Sequence, residues 1–551
     1  MFKNHPKGLI VLFMSNMGER FGYYTMLSIF VLYLQDHFAW SAGRTGSIFG
    51  ILLFGTYGSA IIGGFVADKF LGYSKTVLIG LLVMTSGYFI LAKPVGMDPT
   101  LVYIALITIM LGVGLFKGNI AVITGNLYED KKISHLRDSA FNLFYMGINI
   151  GAFFAPFTAN ALKTLVLKRA GFVYDPSIPK IAHEVLAGNN ENIGILKEFA
   201  GAGVSNLTEF ATNYIRALSN GYNLAFGASG LIMIASLLVF IFFKKHYKHA
   251  DYLQKDRIKA GTAVDIPKKE TIDRIVALII VFIAGIAFFT ALNLGAGPMT
   301  FFARSYTRLT VSKYTNLLFT APTLFSICIL IIGLTLLLRR KNSLNFKIFG
   351  IFLTAISAVF IGYKLTVFPD TNRIDPELFQ TFNPLYIVFL TPAVIGFFAF
   401  LNKRKKEPSS PQKMIYGLLI TGIAFAILLI ASIRLPKMDT LVGNVVDPSL
   451  AVTPYYLITF YLGLTIGELF FSPIGLSFVA KVAPPKLRGS MQAGWLLAIG
   501  LGGLLAGASS VLFENFNMWQ YFVILIGFML VAAVLIMIFL KKIHTATSKE
   551  L

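Results

Sequence analysis

Apolar residues run along this chain in long blocks and not in strict alternation. Blocks close to the roughly 20 residues that carry a helix across a bilayer lie at about 8–35, 45–67, 76–96, 100–126, 139–162 and 221–243. Eight more lie at about 273–303, 316–338, 346–366, 380–401, 413–433, 454–480, 488–512 and 519–540. The pattern predicts an all-α polytopic membrane protein with about 14 spans. The first block carries Glu19 and Arg20 and lacks a small-residue cleavage site, so it reads as a retained span and not a signal peptide.

The polar stretches between the blocks set an orientation. Lys244, Lys245, Lys248, Lys255, Arg257, Lys259, Lys268, Lys269 and Arg274 crowd one loop. Arg339, Arg340 and Lys341 form a second basic loop, Lys403 to Lys406 a third, and Lys541 and Lys542 follow the last span. With fourteen spans and both termini cytoplasmic, every one of these stretches falls inside. The segment 163–220 falls outside, where its length and polarity suggest a small external subdomain. The stretch Pro369–Glu377, with Asp370, Asp375 and Glu377, falls outside as well. The long basic loop divides the chain into an N-terminal six-helix bundle (1–243), a cytoplasmic linker (244–272) and a C-terminal part (273–551). The last of these includes two extra spans at about 316–366. Six-plus-six bundles are an established transporter plan.

Composition narrows the class further. Of 551 residues, 56% are hydrophobic and only 13% charged, too few charges to cover a water-facing surface of this size. The net charge of +22 sits in the short loops and not in a stripe, so it reads as the positive-inside rule and not as nucleic-acid binding. Cys328 is the only cysteine, which excludes a disulfide scaffold and a thiolate metal cluster. No HExxH occurs, and neither a nucleophile–base set nor a cofactor or metal site is expected; the chain reads as no enzyme.

Charges inside spans cost about 2.5–3.5 kcal/mol each at a helix centre, so they point to function. Arg304 and Lys364 lie near span ends and are expected to snorkel to water. Glu19, Arg20, Lys117 and Glu468 lie deeper. Asn16, Arg20 and Tyr24 share one helix face at i, i+4 spacing. Lys117 sits among Gly112, Gly114 and Gly118, which permit close helix approach. The first half thus holds a surplus of one cation at depth and the second half one anion, Glu468. One reading is that these charges only pair with each other, Arg20 with Glu19 and Lys117 with Glu468. The other is that a zwitterion bridges the halves, carboxylate at Arg20 and Lys117 and amine at Glu468. At about 3.3–3.6 Å per extended residue, a dipeptide or tripeptide has the right span, and a free amino acid remains open on charge alone.

These residues fall in ordered motifs. The segments are Asn16–Tyr24, Gly63–Gly72, Gly112–Asn119, Phe141–Gly151, Phe382–Leu385, Lys406–Pro411 and Gly467–Ser477. In this order they resemble the proton-dependent oligopeptide transporter (POT) family of the major facilitator superfamily. The resemblance implies two six-helix bundles plus two extra transmembrane helices, and import of di- and tripeptides by alternating access with proton symport. It implies that Arg20, Tyr24 and Lys117 bind the peptide carboxylate, and that Asn149, Asn383 and Glu468 bind the amine. Tyr57, Asn293, Ser472 and Trp495 would line pockets, Glu19 and Glu468 would couple protons, and Asp68 would gate. Packing is the alternative for Tyr57 and Trp495, and interhelical hydrogen bonding for Asn149 and Asn383. The partners implied are the peptide, protons and the lipid bilayer, with no nucleic acid and a monomer sufficient for transport. The setting implied is a bacterial inner (plasma) membrane.

Two positions depart from the family pattern. Asn16 and Asn293 stand where the family has glutamates, and an amide cannot carry a proton near neutral pH. Coupling then rests on Glu19 and Glu468, or the chain is a facilitator or a differently coupled carrier. A carrier of nitrate or of a small organic anion is a further alternative, against which Glu468 argues.

Overall fold

The computed structural model describes residues 5–130, 132–252, 267–339, 343–484 and 487–543. Lys255, Arg257, Lys259, Arg340, Lys341 and both chain termini lie outside the described residues.

Within a bilayer each backbone N–H and C=O must be paired inside its own segment, so the apolar blocks fold as helices. Among the described residues, thirteen helices are long and apolar enough to cross a membrane. To these the 32-residue α1 (Lys7–Phe38) adds a fourteenth long helix. It is more polar, carrying Glu19, Arg20 and Asp36, and is buried along almost its whole length. The chain is therefore a multi-pass helical membrane protein.

Then come α2 (Ala42–Val66), α3 (Tyr73–Leu91), α4 (Thr100–Asn126) and α5 (Arg137–Arg169). Two short helices, α6 (Ile178–Leu186) and α7 (Ile193–Ala200), precede α8 (Leu207–Phe242). The span expected from 221 thus starts fourteen positions earlier, and α5 runs past the expected 162 (221 − 207 = 14). Both extensions are held by packing: Lys163, Leu167, Tyr214 and Leu218 are buried, although this part of each helix is too polar to register as a span. The separate segment between these two helices shrinks to 170–206.

The second half opens with α9 (Lys268–Asn293) and the short α10 (Pro298–Tyr306). A strand, Thr310–Ser312, pairs antiparallel with Thr371–Arg373, placing Thr310 opposite Arg373. This ladder forms the neck of an inserted hairpin, α11 (Ala321–Leu338) and α12 (Leu344–Val367). The hairpin's helices pack on each other and leave most of their apolar side chains exposed, as lipid-facing helices do. Next come α13 (Phe382–Lys403), α14 (Ser410–Ser432), α15 (Pro454–Val482), α16 (Arg488–Asn515) and α17 (Met518–Ile538). Ser409 with Gln412, and Asn517 with Gln520, form capping boxes that fix where α14 and α17 begin.

Helices α1–α5 and α8 pack on one another, and α9 packs with α14–α17. The broadest contact between these groups is α2 against α16. It depends on glycine: a Cβ added at Gly507 would sit 2.3 Å from the Gly46 carbonyl oxygen and 2.5 Å from the Gly50 Cα. We call this end of the molecule, where α1 stops and α2 starts, the far end. The opposite end carries Lys7 and the turn between α2 and α3.

Candidate functional site

A cavity lies between α1, α2 and α5 on one side and α9, α13 and α15 on the other. It offers about 170 Å³ to the centres of water-sized molecules. One water needs only ~10–15 Å³ by that measure, so there is room for a small polar solute. Tyr145, two turns from the near end of α5, also lines the cavity and is 52% exposed.

Six of the residues singled out from sequence line this cavity together: Tyr24, Tyr57, Asn149, Asn293, Asn383 and Glu468. They come from six different helices. Glu468 is held in the wall by Asn383, whose Nδ2 donates to its Oε2 at 2.9 Å and to Thr465 Oγ1 at 3.0 Å. Asn149 and Asn293 donate back to their own helices, to the Tyr145 and Phe289 carbonyls at 3.1 and 2.8 Å.

The cations stand just behind this wall. Arg20 is buried and binds Glu19 through two bonds, Nε to Oε2 and Nη2 to Oε1, each 2.5 Å. Its guanidinium also lies 5.0 Å from the centre of the Tyr23 ring. Lys117 is half-buried, with its Nζ 3.7 Å from the centre of the Tyr57 ring. Arg20–Glu19 is thus an ion pair, but Lys117 is not paired with Glu468. Gly112 and Gly114 seat α4 closely: a Cβ at Gly112 would meet the Gly80 carbonyl at 2.9 Å, and one at Gly114 would meet Ser59 backbone at 2.4 Å. Gly118 faces open space and has no such role.

Four residues stand elsewhere. Trp495 is 3% exposed and packs among Phe289, Phe471 and Phe282, with ring centres 5.3, 6.2 and 6.4 Å away. It belongs to an aromatic cluster off the cavity, because Gly475 and Gly285 leave a slot for its indole in the second half. Ser472 also lies off the cavity wall, its hydroxyl buried without a partner. Asp68 sits at the near end, on the turn between α2 and α3, where the Tyr73 hydroxyl donates to its Oδ1 at 2.9 Å. Asn16 donates at 3.5 Å to the Phe144 carbonyl, tying α1 to α5.

A second cluster closes the far end. Lys163 on α5 binds Glu377 at 2.5 Å and Asp375 at 3.6 Å, both from the segment that leads into α13. Asn160, one turn before, donates to Glu377 at 3.1 Å and also to Asp375. Arg304 does not snorkel: it is 1% exposed and pairs with Asp36 at 2.6 Å. Its remaining N–H groups go to the Pro176 carbonyl and to Gln35, so neighbouring protein takes the place of water. Both pairs join the two helix groups. Neither Lys163 nor Asp36 stands out in the sequence, because each falls one residue past an apolar block and its partner lies far along the chain.

The POT family model matches residues 74–265 and 344–524, two thirds of the chain (192 and 181 of 551 residues). The helical membrane fold with a cavity between two helix groups is that of a major-facilitator-type carrier. The chain belongs to the POT family, the proton-dependent oligopeptide transporters, a family of transporters and not of enzymes. It is 28% identical to a di-/tripeptide transporter of Lactococcus lactis subsp. cremoris, covering 90% of this chain and 87% of that one. It is 27% identical to a peptide transporter of Yersinia enterocolitica, covering 92% and 88%. A crystal structure of a peptide transporter in complex with sulfate superposes with a TM-score of 0.68 at 22% identity, covering 99% of this chain and 96% of that one. A POT family transporter in complex with 5-aminolevulinic acid gives 0.62 at 20%, covering 98% of each.

Proposed function

We propose that this protein imports di- and tripeptides by alternating access, coupled to proton entry. The observation that carries the reading is the single cavity that unites Glu468 and Asn383 with Tyr24, Tyr57 and Asn149 from the other helix group. Its relatives that are peptide transporters align over nearly the whole chain, which supports the same substrate class.

With both termini cytoplasmic, the far end is the outer end, and the conformation described is closed outward and open inward. Peptide carboxylate binds at Lys117 and Arg20, beside Tyr24; the amine binds at Glu468, Asn383 and Asn149. Arg can hold a carboxylate through its planar fork, but here Glu19 occupies it. Protonating Glu19 frees Arg20 for the substrate, so peptide and proton enter together. Loss of that proton inward lets Glu19 re-pair with Arg20 and expels the peptide. Asn16 and Asn293 carry no proton, so Glu19 and Glu468 are the coupling carboxylates. Outward opening requires the Lys163–Glu377 and Asp36–Arg304 contacts to part, and Asp68 acts at the opposite, cytoplasmic gate.

Glu468→Gln keeps the bond from Asn383 and removes the charge. Dialanine should then bind about tenfold or more weakly, as a charge-assisted hydrogen bond becomes a neutral one. N-acetyl-dialanine, which has no ammonium, should change less than about threefold. Competition assays on proteoliposomes measure both; equal losses for the two peptides count against Glu468 as the amine site.

A further inference from the structure

The segment 170–206 at the far end makes contacts that neither the cavity nor the two buried ion pairs account for. It is anchored on the first half: α6 buries Ile178, Ile181 and Val185 and packs on α8 and α1, and His183 Nε2 donates to the Asp36 carbonyl at 2.9 Å. Ahead of α6, Tyr174–Ser177 is a preformed turn. Asp175 Oδ1 accepts from the Ser177 backbone N–H at 2.9 Å and from the Ser177 hydroxyl at 2.6 Å. The Asp175 N–H donates to the buried Tyr214 hydroxyl of α8 at 3.2 Å. The turn thereby holds three acceptors in place: the Tyr174 and Pro176 carbonyls and Asp175 Oδ2.

Three separate stretches of the second half meet this segment. Arg304 places Nε and Nη2 on the Pro176 carbonyl at 3.1 and 2.8 Å. Arg373, in the strand at the neck of the inserted hairpin, donates to the Tyr174 carbonyl at 3.0 Å and to Asp175 Oδ2 at 2.7 Å. Gly443, from the loop before α15, fits against Ser177 because it has no side chain: a Cβ there would stand 2.8 Å from the Ser177 Cβ, and its φ of +61° suits glycine. Beside it, Asn444 Oδ1 accepts from Lys180 Nζ at 2.9 Å. We infer that residues 174–183 form a clasp on the outer gate, a rigid strip of the first half that seizes the second half by the neck of the inserted hairpin and holds the outer end shut. Arg373 stands two residues before Asp375 and four before Glu377, so the neck and the carboxylates that bind Lys163 move as one stretch. Tyr174 completes the link, its ring centre 4.1 Å from Lys163 Nζ. The Arg373–Asp175 pair is partly exposed, so water can take over its bonds and the clasp can part in each cycle.

The test reads outward opening without any substrate, in the orientation proposed above. Cells carrying the full-length protein with Phe49→Cys, a cavity-lining position, in a Cys328→Ser background are labelled from outside by an impermeant maleimide. Arg373→Ala should speed labelling about fivefold and Lys180→Ala about threefold, since each removes bonds from a charged donor that water partly screens. The two act at separate points, so the double variant should approach the product, about fifteenfold. Arg373→Lys, which keeps the charge but not the fork, should fall between wild type and Arg373→Ala. Ala533→Cys, fully buried within α17, reports loosening of the fold and should stay unlabelled in every variant. Unchanged or slower labelling at Phe49→Cys in the double variant overturns the inference, as does labelling that rises at Ala533→Cys as well. Failure of the wild-type protein to carry dialanine would overturn the peptide reading and leave the clasp standing.

Discussion

Lys117→Ala should reduce gradient-driven dialanine uptake in proteoliposomes to less than about a hundredth of the wild-type rate. The size follows from how the cations are used. Arg20 is held by two short bonds to Glu19, whereas Lys117 lies against the face of Tyr57 and, among the described residues, makes no ion pair. A cation–π contact is worth about 0.5–2 kcal/mol, well below an ion pair in a dry site. Lys117 is therefore the cation a substrate carboxylate can take first. Removing one partner of such a pair costs about 3–5 kcal/mol, or roughly two to three orders of magnitude in binding. The protein should still fold, since the substitution strands no acid. Arg20→Ala is the contrast: it leaves Glu19 fully buried without its guanidinium and should lower thermal stability as well as uptake. Wild-type uptake by Lys117→Ala, at normal protein yield, would sink the carboxylate assignment.

Lys163→Ala should open the outer gate. Glu377 is fully buried, and Asp375 shares the same lysine. Without Lys163 two carboxylates face each other across Asn160 in the closed conformation only; once the gate opens, water reaches both. The closed state therefore loses about 3–5 kcal/mol relative to the open one, a shift of roughly 10²–10³ in their ratio. The readout is a cysteine at Phe49, a cavity-lining position two turns into α2 from the far end, in a Cys328→Ser background. Labelling by an impermeant maleimide from outside should accelerate by about two orders of magnitude in Lys163→Ala and stay near its basal rate in Lys163→Arg. Unchanged labelling in Lys163→Ala means that the cluster does not set the gate.

Much of this molecule can be read from its sequence, and the boundary between what can and cannot has a physical origin. Span positions follow from apolar runs because the bilayer fixes the length and demands internal backbone pairing. Tyr24, Tyr57, Asn149, Asn293, Asn383 and Glu468 meet at one cavity because polar groups at membrane depth have few other places to go. What escaped the reading depends on contacts between distant segments. Arg304 looks like a span-end residue free to reach water; only the fold brings Asp36 and the Pro176 carbonyl to it. Glu377 sits in a short acidic stretch that resembles a solvated loop, and its partner lies 214 residues away on α5. Trp495 has a polar N–H and a place in a functional motif, yet two glycines and three phenylalanines decide where it packs.

The most direct test of coupled peptide import is uptake of labelled dialanine into liposomes, with and without an inward proton gradient. Import through Arg20, Lys117 and Glu468, with Glu19 releasing Arg20 on protonation, predicts accumulation above the external concentration only when the gradient is present. Equilibration that ignores the gradient would contradict coupling and make Asn16 and Asn293 the mark of a facilitator; no uptake under either condition would contradict dialanine as a substrate.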